Sequence, residues 1–335
     1  MDVPAAPSSS WVGRLKTLAA RNRPSQKPQL WEDLALGLRR RVELELAQRL
    51  DAGWLDRRHV VRLSRVGFED GAPPLRMTVV PREMMNKSLF LYGTLEISET
   101  RIVQALLAPG MCFVDVGANI GYYALLGARI VGPSGAVHAF EPNGEVRTRL
   151  VENLELNGLA NVVVYDKAVT RRSGTVRFYT STWVENSGIS SILPGAGRSE
   201  QGEEVACVSL DDFVATLGPR RIDLLKMDIE GAELEAIEGG RDLLSRADAP
   251  AILFEAAKVE PLAQALRGFG YSIRRLDYSL SVGLELIDAG DDHQGIFSSY
   301  EAPNYFATKD GAQFAAVVER ANARRQPALR LLGAV

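Results

Sequence analysis

The stretch CFVDVGANIGYYALLGARIVGPSGAVHAFEP, Cys112 to Pro142, decides the fold of this 335-residue chain. Its apolar start is typical of a buried strand, a glycine turn follows, and a helical pattern then leads into a second strand that ends at Glu141. Strand patterns recur at Asn161–Tyr165, Ile222–Met227 and Ala251–Phe254, with helical stretches between most of them. This alternation predicts an α/β fold with a doubly wound, mostly parallel sheet covered on both faces.

The turn Gly117-Ala118-Asn119-Ile120-Gly121 lacks the features of the common phosphate-binding motifs. A dinucleotide turn carries glycine at the position of Asn119, because that glycine lets the backbone approach the pyrophosphate. A triphosphate loop would continue with Gly-Lys-Ser or Gly-Lys-Thr. Asp115 favours a ligand with positive charge, and Glu141 stands where a carboxylate accepts hydrogen bonds from ribose hydroxyls. S-adenosylmethionine has a ribose, a cationic end and no phosphate, so we expect it as the cofactor.

Several segments resemble those of a known family. FVDVGANIGYYAL, HAFEPN, ENLELNGLANV and above all IDLLKMDIEGAELEAIEGG resemble FkbM-type methyltransferases, a branch of the class I S-adenosylmethionine-dependent enzymes. The resemblance covers about Met85 to Thr308. It implies a Rossmann-like sheet of seven strands, one of them antiparallel. It also implies methyl transfer to a hydroxyl oxygen of a sugar, a polyketide or another natural product.

The same resemblance implies roles for individual residues. The glycine turn would surround the methionine part of the cofactor, Glu141 would hold the ribose, and Lys167-Ala168 would lie by the adenine. The cofactor contacts that we expect on this basis are Asp115, Gly117, Ala118, Asn119, Gly121, Tyr122, Glu141, Asn143, Asn157, Lys167, Ala168 and Asp228.

The segment KMDIEGAE, from Lys226 to Glu233, carries the expected chemistry. Side chains alternate along a strand, so Lys226, Asp228 and Glu230 point the same way. Methyl transfer requires the acceptor oxygen in line with the S–CH3 bond, and an alcohol must also lose its proton. We expect Asp228 closest to the methyl group, Glu230 as general base, and Lys226 either paired with these acids or polarising the acceptor. Alternatively, Glu230 and Glu233 are helix N-terminal acids favoured by the dipole.

Two further catalytic alternatives stay open. The carboxylates of Asp228, Glu230 and Glu255 could hold Mg²⁺, which accepts a pair of carboxylates together with water and substrate oxygens. His293, in an acidic loop before the last strand, could act as the base instead. His138 lies within a strand pattern and is interpreted as a core residue.

Recognition of the acceptor is expected from segments outside the sheet. LFLYGTLE supplies Tyr92 and Glu96, and the Ser/Gly-rich loop that begins at Trp183 supplies Trp183 and Ser190. Glu255, at the end of a strand, is a further candidate for substrate binding. Loops on a rigid scaffold often act as lids, and a plain surface loop is the alternative.

The composition disfavours several classes of partner. A net charge of −3 and a pI near 5.8 provide no global basic field for nucleic acid or for an anionic membrane, and the family resemblance implies a small hydroxylated acceptor instead. No apolar run approaches the roughly 20 residues of a membrane span. Cys112 and Cys207 are interpreted as buried hydrophobes of a cytoplasmic protein. A nucleic-acid or protein acceptor and a non-catalytic adenosyl-binding module remain alternatives.

Four regions follow from the patterning of the chain. Residues 1–27, rich in Pro, Ser and basic side chains, are predicted to be disordered. Residues 28–85 form an extension with a helix at Leu30–Leu50 and short strands, 86–309 the methyltransferase domain, and 310–335 a helix with a tail. The apolar face of the first helix must be buried. The extension could therefore be a homodimerisation arm, a substrate cap or a docking segment.

Overall fold

The computed structural model describes residues 52–63, 73–183, 186–279, 283–289 and 302–323. The predicted tail, the Leu30–Leu50 helix and His293 lie outside these residues.

The strands are β1 (His59–Arg62), β2 (Arg76–Val79), β3 (Cys112–Val116), β4 (Ala136–Phe140), β5 (Val162–Tyr165), β6 (Ala168–Val169), β7 (Gly174–Phe178), β8 (Glu203–Val208), β9 (Leu224–Met227), β10 (Ala251–Glu255), β11 (Ser272–Ser279), β12 (Gly283–Asp288) and β13 (Asn304–Thr308). The helices are α1 (Ala52–Leu55), α2 (Met84–Tyr92), α3 (Ile97–Leu106), α4 (Tyr122–Val131), α5 (Gly144–Asn157), α6 (Leu210–Thr216), α7 (Glu233–Glu238), α8 (Arg241–Ser245), α9 (Val259–Gly268) and α10 (Ala312–Ala323).

The central sheet has the strand order β12-β11-β13-β10-β9-β3-β4-β5. Strands β5, β4, β3, β9 and β10 pair in parallel, and β13 lies antiparallel between β10 and β11. These seven strands confirm the predicted doubly wound fold. An eighth strand, β12, pairs antiparallel with β11 at the edge, where Leu284 is buried and Leu286 packs on the core. The sequence order reverses between β3 and β9, which opens a crevice at the carboxyl ends of these strands.

Each face of the sheet is covered by its own apolar core. One core joins the sheet to helices α3, α4, α5 and α10, and the other joins it to α6, α7, α8 and α9. Strands buried on both faces are apolar throughout, as in β9, where all four residues are buried. None of the described helices is long and apolar enough to cross a bilayer.

A small second sheet borders the crevice. Its order is β6-β8-β7, with β7 and β8 antiparallel and β6 and β8 parallel. Cys207, in β8, and Cys112, in β3, are both buried and free, as expected of small hydrophobes.

The hairpin of β1 and β2 is attached to helix α5 by two asparagines. Asn157 accepts a hydrogen bond from the backbone N–H of Arg76 (2.8 Å) and donates one to its carbonyl (2.7 Å). Asn153 accepts from the backbone N–H of Thr78 (2.7 Å). Residues four apart on a helix and two apart on a strand both advance about 6 to 7 Å, so the two spacings match. The asparagines thereby act as an edge partner for β2.

Candidate active site

A cleft opens at the carboxyl ends of β3, β4 and β9, where the strand order predicts a ligand site. Its empty volume is about 710 Å³, including the part that is open to solvent. The side chains that line it come from the glycine turn, the ends of these strands, the β5–β7 region and two further loops. They include Met85, Gly117, Asn119, Glu141, Lys167, Ala168, Phe178, Ser190, Ser191, Asp228 and Glu230.

The glycine turn is held tightly against the loop after β9. Gly117 has a φ of +83°, and a Cβ on it would lie 1.9 Å from the carbonyl oxygen of Asp228. Its backbone N–H donates to the Phe140 carbonyl (3.1 Å), as does that of Ala118 (2.9 Å). Glycine is therefore required at Gly117 by both the backbone conformation and the close approach.

Glu141 is held in place by backbone amides at the end of β4. Its two carboxylate oxygens accept from the N–H groups of Asn119 (3.0 Å) and Asn143 (2.9 Å). Burial raises the pKa of Glu141 to about 7, although these two amides favour the ionised form. Because a carboxylate has about four lone-pair sites, both oxygens can still accept from further hydroxyls in the cleft.

An apolar slot adjoins Glu141 where the chain leaves β5. Lys167 and Ala168 lie in the cleft as predicted, together with Val169. Phe140 and the buried Phe178 add aromatic surface. Such a slot suits a flat heteroaromatic ring, with backbone groups available for hydrogen bonds.

A buried ion pair lies at the end of β9. The ammonium of Lys226, only 3% exposed, donates to one carboxylate oxygen of Asp228 at 3.1 Å. Burial opposes the charge of Lys226, but the carboxylates of Asp228, Glu96 and Asp115 raise its pKa overall. Lys226 therefore stays protonated and is assigned to pair with the acids.

Asp115 faces this ion pair from β3, where it is in register with Lys226. Both of its carboxylate oxygens are buried and make no hydrogen bond with any described residue. Burial raises the pKa of Asp115 to about 6, and the Lys226 charge partly offsets this shift. Asp115 does not itself line the cleft, and the Lys226 ammonium and the Ala124 backbone N–H both favour its ionised form.

Glu230 follows the ion pair and lines the cleft. Burial and the neighbouring Asp228 carboxylate raise its pKa to about 7, and the Arg198 guanidinium limits the rise. A carboxylate with this pKa can act as a general base near neutral pH. Glu233 instead accepts from the backbone N–H groups of Ile229 (3.0 Å) and Gly231 (3.3 Å), so it stabilises the loop.

Backbone strain marks the same region. Within the described residues, the non-glycine residues with positive φ are Glu96 (40°), Asn119 (50°) and Glu230 (57°). Asn119 and Glu230 line the cleft, and Glu96 interacts electrostatically with Lys226 and Asp228. Strained conformations of this kind cluster at functional sites.

The Ser/Gly-rich loop covers part of the cleft. Ser190 and Ser191 line it, and the Ser191 hydroxyl donates to the Ile229 carbonyl at 3.1 Å. Arg198 donates to the carbonyls of Ile189 (2.5 Å) and Glu230 (3.1 Å). It thereby connects the Ser/Gly-rich loop to the segment that follows β9. This arrangement favours the lid interpretation. The sequence analysis missed Arg198 because its partners are backbone carbonyls, which leave no signal in the sequence.

Several predicted cofactor residues do not reach the cleft. Asn157 binds the hairpin, as described above, so the expectation that it lies near the cofactor is corrected. The Asn143 side chain caps α5 by accepting from the N–H groups of the next turn, and only its backbone serves Glu141. The Tyr122 hydroxyl bonds to Thr94 and Thr100, away from the cleft. Gly121 begins α4 and packs on Leu150.

Some of the residues predicted to bind the acceptor also lie outside the cleft. Tyr92, at the end of α2, and Trp183 are exposed at the surface and do not line the cleft. Glu255 accepts from the Ala302 backbone, and burial raises its pKa to about 9, as do nearby acids such as Asp228.

The described residues contain no group of three or more His, Cys, Asp or Glu placed to hold a metal ion. His138, in β4, is buried and bonds to Tyr165, as expected of a core residue.

Three features meet at this cleft: a sheet whose strand order reverses beside a glycine turn, the buried Glu141, and the acids after β9. Together they define a Rossmann-like, cofactor-binding α/β protein. Residues 115–280 match the family model of the methyltransferase FkbM domain. These residues form an FkbM-type methyltransferase domain, as the sequence resemblance predicted.

Similar proteins include methyltransferases with curated names. The 31-O-demethyl-FK506 methyltransferase FkbM of Streptomyces tacrolimicus is 28% identical over 219 residues, which cover 54% of this chain and 80% of the relative. The 2-O-methyltransferase NoeI of Sinorhizobium fredii is 26% identical, covering 44% and 64%. The chain spans less than two thirds of the length of most of the curated relatives it matches. The crystal structure of methyltransferase FkbM from Methylobacillus flagellatus KT shares 18% identity, covering 58% and 43%, with a TM-score of 0.39.

Proposed function

We propose that this methyltransferase uses S-adenosylmethionine to methylate a hydroxyl group of a small molecule. One observation carries the proposal: the amide-held Glu141 and the acids Asp228 and Glu230 line the same cleft, on opposite sides of Gly117. The first provides acceptors for a ribose, and the other two lie where a reacting hydroxyl needs acceptors and a base.

The residues present fit the proposed cofactor. The slot at Lys167 and Ala168 suits an adenine, and Glu141 suits ribose hydroxyls. When bound, S-adenosylmethionine supplies an electrophilic methyl group on a sulfonium.

The side chains at the end of β9 would bind and deprotonate the acceptor. Lys226 donates to one oxygen of Asp228, which leaves the other oxygen free to accept from the acceptor hydroxyl and orient it. Glu230, with its pKa near 7, would take the proton that the acceptor hydroxyl loses. The loop tied by Arg198 and Ser191 would exclude water from the reacting atoms.

A small acceptor is supported by the size and cover of the cleft. About 710 Å³ must hold the cofactor and the reacting part of the acceptor together. The names of NoeI and of the FK506 enzyme describe O-methylation and methylation of an O-demethyl compound, respectively. A nucleic-acid or protein acceptor would instead have to present a single residue beneath the loop.

Isothermal titration with S-adenosylhomocysteine tests the proposal, with NAD as the competing ligand. We expect micromolar binding of the adenosyl ligand, no comparable binding of NAD, and a loss of at least about tenfold in Glu141→Ala. Glu145→Ala, which removes an exposed carboxylate from the first turn of α5, is the matched control and should bind normally. Absence of adenosyl binding would refute the proposal. Titration in EDTA and in Mg²⁺ tests the metal alternative.

A further inference from the structure

Lys226 is surrounded by groups that the proposed chemistry does not use directly. Its ammonium lies 4.5 Å from the centroid of the Tyr123 ring, within the range of a cation–π contact. The Tyr123 hydroxyl donates to a carboxylate oxygen of Glu96 at 2.7 Å. Tyr123 begins α4, whereas Glu96 precedes α3, so two separate elements converge on a lysine of β9.

Two further observations distinguish this arrangement from ordinary core packing. Glu96 adopts a left-handed backbone conformation, with a φ of 40°, which costs a non-glycine residue free energy and is retained where the surroundings require it. Tyr123 and Lys226 are both at least 95% buried, so the aromatic face and the charge meet where water does not screen them.

We propose that Tyr123 and Glu96 are positioning residues, which hold the Lys226 ammonium on Asp228 and thereby keep the second Asp228 oxygen free for the acceptor hydroxyl. This inference rests on the proposed function. Tyr123 supplies the ring on which the ammonium lies, and Glu96 fixes the ring by accepting its hydroxyl.

The charged groups around Lys226 come from every neighbouring element. They are Asp115 on β3, Glu96 before α3, Asp228 after β9 and Glu255 at the end of β10, and Glu99 on α3 acts on Glu96 and Tyr123. Burial raises the pKa of Glu96 to about 8, and the Tyr123 hydroxyl acts against this shift. Removal of that hydroxyl should therefore raise the pKa of Glu96 further, because the ionised carboxylate loses a donor.

The test compares Tyr123→Phe and Tyr123→Leu with the wild-type chain. Phenylalanine keeps the ring face and loses the bond to Glu96, whereas leucine loses both. We expect kcat to decrease in the order Tyr, Phe, Leu, with Leu about 3- to 30-fold below Phe. Tyr123 lines a small pocket beside the cleft, together with Lys226 and Asp228, and not the part of the cleft at Glu141 and Ala168, so the Kd of S-adenosylhomocysteine should stay within about twofold.

Tyr271 provides a matched control. It is also buried, its hydroxyl donates to the Pro250 carbonyl at 2.8 Å, and the Lys309 ammonium lies 5.4 Å from its ring centroid. Tyr271→Phe and Tyr271→Leu should destabilise the fold to a similar degree, without changing kcat per folded molecule or the pH profile. Equal losses of kcat in the two leucine variants, or a loss at Tyr123 that follows the Kd of the adenosyl ligand, would overturn the inference.

An NMR measurement tests the contact without turnover. The chain has seven lysines, so labelling of lysine ε-carbons gives a spectrum simple enough to assign. The ε-CH2 signal of Lys226 should be shifted upfield by the Tyr123 ring in the wild type and in Tyr123→Phe, and should lose this shift in Tyr123→Leu. A signal unaffected by Tyr123→Leu would overturn the positioning role, even if the wild type transferred no methyl group.

Discussion

Replacement of Gly117 with alanine should disable the site by a route that can be separated from general destabilisation. The φ of +83° costs an L-residue about 1–2 kcal/mol. The added Cβ would also lie 1.9 Å from the Asp228 carbonyl oxygen, whereas real Cβ atoms essentially never approach within 3.0 Å. The turn or the loop after β9 must therefore move by about 1 Å. A displacement of that size can lower the rate of a positioned reaction about 100-fold.

Gly158→Ala isolates the backbone part of this effect. Gly158 also has a left-handed φ, +63°, but no atom lies within 4 Å of its Cβ position. Alanine there should cost about 1 kcal/mol of unfolding free energy and leave methyl transfer unchanged. Gly117→Ala should show the same backbone cost, a further loss from the clash, and a decrease of about 100-fold in kcat/KM.

Urea unfolding and methyl transfer, measured on the same preparations, decide between these outcomes. The unfolding midpoint gives the stability of each variant, and kcat/KM is then expressed per folded molecule. Equal behaviour of the two variants in both assays would refute the close approach between Gly117 and Asp228. Full activity of Gly117→Ala would also refute the assignment of Asp228 to the acceptor site.

Three further perturbations address other parts of the structure. Asn157→Ala removes both side-chain bonds to Arg76 and should lower the unfolding free energy by about 1–3 kcal/mol in urea titrations, with unchanged adenosyl binding. With Glu230 as base, kcat/KM should be lost as the pH falls through about 7, and Glu230→Gln should remove most activity together with this limb. Burial and then Arg220 lower the pKa of His138 from 6.5 to about 4, so the unfolded chain binds more protons between these values. The stability of the wild type relative to His138→Gln should therefore decrease from pH 6.5 towards 4, because the buried carboxyls contribute equally to both chains. A difference that does not change in that window would contradict the burial of His138.

The sequence was informative wherever the physical signal is local. Buried parallel strands are largely apolar runs, so β9 and β10 were predicted to within two residues of their observed bounds. The glycine turn predicted the type of ligand, since Asn119 stands where a dinucleotide turn carries glycine, and this remains a prediction. Lys226, Asp228 and Glu230 were singled out because charged residues at the end of a buried strand require a reason to be there.

Long-range partners were not predictable in this way. Asn157 resembles a cofactor contact in the linear motif, yet its partner is the backbone of Arg76, 81 residues away. The sequence predicted that Trp183 contacts the acceptor, but Trp183 does not line the cleft. The part of the loop that covers the cleft is held by Arg198, through backbone carbonyls. Tyr123 also gave no signal, since a tyrosine at the start of an apolar helix is typical of core packing.

Long-range contacts connect the hairpin of β1 and β2 with the glycine turn. Asn153 accepts from the backbone of Thr78 in β2 and, through its amide N–H, donates to the carbonyl of Ile120 in the turn at 2.9 Å. Asn153 is completely buried, so neither bond is replaced by water if the other partner moves. Met85, just after the hairpin, lines the cleft and contacts Asn119 at 3.5 Å. The extension before the FkbM domain is therefore connected to the glycine turn through Asn153, and it supplies Met85 to the lining of the cleft.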